Sequence, residues 1–377
     1  MEFICGTQEL KEAVLKTSKV INKNTTLGIL ETILIQTDEA KIKLRGTDLG
    51  STIDTVIEAN VVEHGASNID SKTLLAILDK VKAEDIRMKF DIENEEITIT
   101  SGTAKFKLLN EKISEKYPDI DTVDKKYFFT IDREEYVKGV ALTLFSTSSD
   151  AENKPFLTGI DVSIDDSNKI TFISTDSQRL SKYETMALEK EADSDRAFTF
   201  IIPGYSAKVL QDLAKVPGDP IKVYWSGNII MCSIDNSDFY CRLIEAKYPD
   251  ISRVIPKDFN TEITIGKNAF KEVLDRMNIA SKENGNRCII RCDNEKIVFS
   301  AETKEHKILI EEEVPCLVSG MNIDKMCIHV QHIIDVLNVV DRECENVEIK
   351  IVGSEKAFMI RMKDNDKFTH VLMPIRL

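Results

Sequence analysis

Glycine is scarce in this chain, 15 of 377 residues, roughly half its ordinary share of about 7%. The signatures that depend on it are missing too: no G-x-G-x-x-G, no G-x-x-x-x-G-K-[ST], no G-x-S-x-G, and no H-E-x-x-H either. The usual nucleotide-binding, hydrolase and metalloprotease readings are left without support. No apolar run approaches the ~18 residues a membrane helix needs. Met1 to Val14 hold neither a basic segment before an apolar stretch nor a small-residue cleavage site, so the expected location is cytosolic. The cysteines (Cys5, Cys232, Cys241, Cys288, Cys292, Cys316, Cys327, Cys344) form no C-x-x-C pair and no regular spacing, and read as reduced core residues. His329 and His332 stand three apart without an acidic or thiol partner at ligand spacing, so no metal site is expected. Asn24-Thr25-Thr26 matches a glycosylation acceptor, which is idle in a chain that is not secreted.

Lys and Arg number 50 against 64 Asp and Glu, a net charge of -14. Such a chain as a whole repels nucleic acid, which excludes a simple basic coat for DNA. Its length corresponds to two or three domains of roughly 100 to 200 residues each.

What is present is repetition. Lys-Tyr-Pro-Asp-Ile occurs at Lys116 to Ile120 and again at Lys247 to Ile251, and Thr47-Asp48 recurs as Thr175-Asp176. Periodic apolar residues predict a first helix three times, over Gln8 to Lys23, Asp132 to Phe145 and Lys267 to Lys282. Second helices are expected over Lys72 to Glu84, Ser206 to Val216 and Gln331 to Glu343. Between them lie alternating hairpins: Thr32 to Ile35 with Lys41 to Arg45, Gly159 to Ile164 with Lys169 to Ser174, and Arg287 to Cys292 with Lys296 to Ser300. Meanders over Ile86 to Leu109, Ile221 to Ile244 and Val347 to Met373 close each copy. The unit is therefore about 126 residues, and the domains are expected at 1–125, 126–254 and 255–377. The six helical segments together carry +3 on a chain of -14. They read either as ordinary solvated faces or as a surface that touches phosphate lightly.

Several segments then point to a family. Val371-Leu372-Met373-Pro374-Ile375-Arg376-Leu377, Thr175-Asp176-Ser177-Gln178-Arg179-Leu180, Phe156-Leu157-Thr158-Gly159 and Tyr248-Pro249-Asp250 with Arg253-Val254 resemble the bacterial sliding clamp, the beta subunit of DNA polymerase III. The resemblance spans the whole length. It implies an α+β fold of three tandem copies of a DNA-clamp domain, two helices on one face of curved antiparallel sheets, and a head-to-tail homodimer closing a six-domain ring around duplex DNA. Partners so implied are the replicative polymerase alpha subunit, the clamp loader, and clamp-motif proteins such as mismatch-repair proteins and translesion polymerases. No cofactor and no membrane are implied.

By the same resemblance a pocket for a short peptide with a Gln and two apolar anchors falls on Leu157, Thr175, Ser177, Gln178, Arg179, Leu180, Pro249, Arg253, Val254, Val371, Met373, Pro374, Ile375, Arg376 and Leu377, with Arg as a rim donor. DNA-facing positions would be Lys23, Asn24, Lys72, Lys154 and Phe156, and the dimer contact would join Phe106 and Leu108 to Ile279 and Ala280. Asn24 stands where relatives often carry Arg, and Gln178 where they often carry His or an aromatic. From the residues alone, Phe106 reads equally as core, while Leu157 and Leu180 read as core and the tail as a closing edge strand. Asp48 and Asp176 could be offered as an acid–base pair, yet matching places in repeated domains favour turn residues that bond nearby amides. A scaffold that binds no DNA is the remaining class.

Overall fold

The structure is a computed structural model, and it describes residues 1–21, 25–110, 115–121, 123–191, 198–251, 253–293, 295–303, 308–340, 344–363 and 365–376. Six α-helices are described: α1 Thr7–Thr17, α2 Ser71–Leu78, α3 Arg133–Thr143, α4 Gly204–Ala214, α5 Lys267–Ser281 and α6 Val330–Val339. The three first helices match the periodicity closely because each turns a continuous apolar stripe inward, as Leu10, Ala13 and Val14 do in α1 and Phe270, Val273, Leu274 and Met277 in α5. In α1 and α3 a threonine hydroxyl donates to the carbonyl four residues back, Thr17 to Ala13 at 2.7 Å and Thr143 to Gly139 at 2.6 Å. Each helix tightens into a 3-10 turn at that point, Ser18–Val20 and Leu144–Ser146. The second helix of the first copy is shorter than the pattern predicts: α2 ends at Leu78, its last buried apolar residue, and the chain turns toward the strand Asp85–Asp91.

All strand pairs among the described residues are antiparallel, and the three predicted hairpins and three meanders form where expected. The chain separates into two compact bodies. One comprises Met1–Tyr136, Ala187–Ser194 and Lys208–Leu243; the other comprises Val137–Met186, Asp195–Ala207 and Ile244–Leu377. Each holds a nine-stranded sheet made from strands of two successive repeats. In the first body the joint is the pairing of Ser51–Glu58 with Ser237–Arg242. In the second it is the pairing of Arg179–Met186 with Asn365–Leu372.

The reading of the tail as an edge strand is therefore corrected. Asn365–Leu372 is an interior strand, flanked by Arg179–Met186 and Phe358–Met362. Two smaller sheets have edge strands paired on one side only among the described residues, Ala104–Leu109 in the first repeat and Ile308–Pro315 in the third.

The first repeat's core packs Phe3, Leu10, Val14, Ile33, Ile42, Leu44, Leu74 and Ile99 between its helices and sheets. Gly46 is what lets α1 approach the strand Lys41–Thr47, since a Cβ there would lie 2.5 Å from the Thr17 carbonyl oxygen. At the matching place in the second repeat, the Ser174 hydroxyl donates to the Thr143 carbonyl. Gly46→Ala is expected to lower stability by about 2–3 kcal/mol, read as a lower denaturant midpoint at unchanged slope.

Candidate functional site

The repeated Thr-Asp turn is one local structure built twice. Asp48 Oδ1 accepts from the amides of Gly50 and Ser51 at 3.0 and 2.6 Å, and Asp176 Oδ1 from those of Gln178 and Arg179 at 2.9 and 2.9 Å. The threonine hydroxyls complete it: Thr47 accepts from Leu49 N–H and Thr175 from Ser177 N–H. Leu49 and Ser177 take positive φ, 73° and 82°, which the side-chain hydrogen bonds on both flanks hold in place. These carboxylates are consumed by backbone amides, so the turn reading stands and no acid–base pair is formed.

The other repeated string docks on this turn. The Thr175 N–H donates to the Tyr248 hydroxyl at 2.9 Å. Tyr117 receives the Thr47 N–H in the same way and donates to the Thr32 carbonyl at 3.1 Å. Burial pushes both phenols well above their usual range. The chain leaving each joining strand is also pinned twice alike. Arg242 N–H donates to Gly50 C=O at 2.9 Å and Met373 N–H to Gln178 C=O at 3.0 Å, after which Ile244 bonds Ile201 and Ile375 bonds Cys327.

One frame thus occurs twice, but its lining differs. In the first body the facing pair is Thr52 and Tyr240, and a cleft of about 260 Å³ is lined by these with Thr47, Asp119, Asp121 and Arg242, the last two ion-paired at 2.7 Å. In the second body the facing pair is Leu180 and Val371. With Ile173 they form a buried apolar floor, and Tyr248, Ile251, Ile255 and Ala357 pack against it as walls. Met373 and Val254 remain exposed. An apolar floor with solvent-facing apolar residues suits a ligand with apolar anchors.

Known proteins share this architecture. Family profiles of the DNA polymerase III beta subunit match in chain order, the N-terminal domain over residues 1–121, the central domain over 130–250 and the C-terminal domain over 252–376. The chain belongs to the family of DNA polymerase III beta subunits. A beta sliding clamp of Staphylococcus epidermidis is 28% identical, with 100% of this chain and 99% of that protein aligned. Among solved structures, a DNA polymerase III beta subunit from Eubacterium rectale superposes with a TM-score of 0.90 at 24% identity, covering 100% of both chains. A DNA polymerase sliding clamp from Bacillus subtilis gives 0.91 at 21% identity, covering 100% of this chain and 99% of the other. The chain accordingly has three tandem clamp domains, and its role is that of this family, a non-catalytic processivity factor.

Of the expected pocket residues, the structure brings Leu180 and Val371 together in one floor, and the others differ in exposure. Leu180 and Val371 are floor; Leu157 is buried; Thr175, Arg179, Pro374 and Ile375 are half-buried; Ser177, Gln178, Pro249, Arg253 and Arg376 are exposed. Leu377, Lys23 and Asn24 lie outside the described residues. Arg179 departs from the role of rim donor. Its guanidinium is held by Asp176 at 2.9 Å and Asp335 at 2.6 Å and lies 5.5 Å from the Phe145 ring centroid, so it braces the turn from beneath. Sequence reasoning missed Ile173, Ile251, Ile255, Ala357 and the wall role of Tyr248. Tyr248 and Ile251 carried a signal, being members of the repeated string.

Of the expected DNA-facing residues, Lys72 is exposed in the first turn of α2, while Lys154 Nζ donates to Ser177 Oγ at 3.1 Å and Phe156 is half-buried. Phe106 and Leu108 pack partly on the core from the edge strand, and Leu109 beside them is 85% exposed. Ile279 is 65% exposed, but Ala280 is 0% exposed. The expected interface role of Ala280 is corrected, because its side chain is spent on the interior packing of α5.

His332 is pushed down to about 4 and His370 to about 3, burial being the main cause in each. Among the described residues no group of three His, Cys, Asp or Glu is placed to hold a metal. Asp161 is the unusual charge near the pocket. It pairs directly with Ile173 across the strands, is 7% exposed, and its Oδ1 has no hydrogen-bond partner among the described residues. Burial pushes its carboxyl up to about 6 from 3.8. The stability this proton confers is full below 3.8 and is lost as pH rises through about 6. Asp161→Asn should therefore raise stability above pH 6 by about 2–3 kcal/mol and leave it nearly unchanged near pH 4, read from unfolding midpoints across pH.

Proposed function

We propose that the chain, as three clamp domains divided at 125/126 and 254/255, joins a second copy head to tail in a six-domain ring that encloses duplex DNA. The observation that carries this reading is the pair of unpaired strand edges in the first and third repeats. Ala104–Leu109 offers Phe106, Leu108 and Leu109 with Lys105, whereas Ile308–Pro315 offers Ile308 and Leu309 with Glu311; Lys107, Glu312 and Glu313 on the same strands are ion-paired within the chain, to Glu96, Arg276 and Lys296. Leu309 is 67% exposed. Bare apolar edges of this kind invite pairing, and these two are complementary in charge. Because they are different surfaces, the contact is heterologous, and two copies of it close a dimer.

Encirclement also accommodates a charge of -14. Retention by enclosure needs only weak, sequence-blind phosphate contacts, and many tight ones would impede sliding. Placement in the cytoplasm, at the nucleoid during replication, follows from this role. The apolar pocket would take a short segment with a Gln and two apolar anchors from the polymerase alpha subunit, the clamp loader, or mismatch-repair and translesion proteins. Its adaptable Met373 and exposed rim would serve several such sequences.

Two experiments test these readings separately. The wild-type chain should have a solution mass of about twice 42.6 kDa and, once loaded on nicked circular DNA, should remain bound until the circle is linearised. Ile279→Glu with Leu309→Glu should shift the mass to monomer and abolish retention, whereas persistence on linear DNA would refute enclosure. Deleting Met373 to Leu377 should leave the dimer intact while weakening partner-peptide binding by roughly 100-fold in calorimetric titration. Unchanged peptide affinity would refute the pocket.

A further inference from the structure

The nine-stranded sheet of the first body carries, on a partly exposed face, cations that no carboxylate holds. Phe128 and Tyr224 are direct partners across the strands Phe128–Ile131 and Ile221–Ser226, with ring centroids 5.9 Å apart and planes inclined at 50°. Both rings are half-buried, whereas the adjacent pair, Phe129 and Val223, is buried on the opposite face. Lys222 shares the face of the two rings, and its Nζ stands 3.7 Å from the Phe128 centroid and 5.5 Å from that of Tyr224. From the connection before the first strand, Lys125 Nζ reaches within 5.5 Å of the Tyr224 centroid, and Lys126 Nζ lies 5.2 Å from that of Tyr127. Lys125 and Lys126 are exposed. Two carboxylates lie nearby without pairing with these lysines: Asp124 Oδ1 accepts from the Lys126 amide at 3.1 Å, and Glu189 stands opposite Thr130 on the outermost strand. Among the described residues none of the three ammonium groups is ion-paired.

We propose that Lys125, Lys126, Tyr127, Phe128, Lys222 and Tyr224 form a binding site for single-stranded nucleic acid. A ring with a cation beside it offers two chemistries at once, a face on which a base stacks and an ammonium for the neighbouring phosphate. Each of these lysines has only a ring for company, an interaction that is weak at an exposed site, so each is available to a phosphate oxygen. Charge complementarity therefore selects an anionic occupant on a chain that is otherwise acidic. The rings select among anionic occupants. An acidic peptide would use the ammonium groups and leave the rings idle, and a duplex keeps its bases stacked inside, out of reach of the rings. Unpaired bases use both, and they do so without regard to sequence, because every base has a π-face. All six residues belong to the first body, so the site depends neither on enclosure of a duplex nor on the apolar pocket of the second body.

The test titrates the full chain into fluorescein-labelled oligothymidylate and oligouridylate of about 12 nucleotides, open-ended strands that enclosure cannot retain, and follows anisotropy at several salt concentrations. The wild type should bind saturably, with log K falling against log salt at a slope of about -2, roughly 0.7 for each of three lysines. The triple variant Lys125→Gln, Lys126→Gln, Lys222→Gln should flatten that slope toward zero. Tyr224→Leu, which keeps an apolar side chain and removes the ring, should weaken binding about tenfold at unchanged slope. Binding of either oligonucleotide supports the site, and the tighter of the two identifies the kind of strand it takes. The proposal is overturned if neither binds, if the lysine variant binds as tightly as the wild type, or if a duplex of the same length binds as tightly as the single strand. Competition by polyglutamate as effective as that by unlabelled oligothymidylate would likewise overturn it, in favour of an acidic peptide. Circular dichroism and solution mass of both variants, expected to match the wild type, separate these outcomes from misfolding.

Discussion

The structure depends on strands pairing across repeat boundaries. Ser237–Arg242 of the second repeat bonds Ser51–Glu58 of the first, and Asn365–Leu372 of the third bonds Arg179–Met186 of the second. A ladder satisfies a strand's backbone groups and sets register at once, because a slip of one residue would turn every side chain to the wrong face. Each joint therefore delivers the outgoing chain to a fixed place beside the Thr-Asp turn, where Gly50 or Gln178 receives its next amide. The sites of interest are by-products of how the sheets are joined.

Duplication of the frame with divergence of its lining lets one joint be apolar and the other polar. Leu180 opposite Val371 makes a floor that water does not solvate well; Thr52 opposite Tyr240, with Asp121 on Arg242, makes a cleft that water does. The backbone geometry is the same to the hydrogen bond. In the proposed pocket, specificity for apolar anchors would reside in a handful of side chains on a repeated frame, with Arg179 fixed beneath the turn by two carboxylates and an aromatic ring.

Much of this was legible in the chain. The helices, hairpins and meanders were readable because periods of 3.6 and 2 reflect burial on one face, and that burial is what the fold supplies. The repeated Lys-Tyr-Pro-Asp-Ile and Thr-Asp strings were readable as a pair of copies, but their meaning was not: only in three dimensions does the tyrosine of one receive the amide of the other. Leu180 and Val371 were legible by resemblance, whereas Ile173 and Ala357 were not, since an apolar residue inside a strand, or just ahead of one, carries no mark of which face stays accessible. The edge reading of the tail failed for a related reason. Periodicity tells that a segment is a strand, and not how many neighbours it has.

The sequence by itself determined the repeat, the order of elements in each copy and the acidic balance, because these follow from local periodicity and composition. Tertiary structure decided which strands join the copies, which of two equivalent joints is apolar, and that Ala280 faces inward while Ile279 faces out. Those outcomes rest on pairing and packing between residues far apart in the chain, where many partners are compatible with each local pattern and only their joint satisfaction selects one.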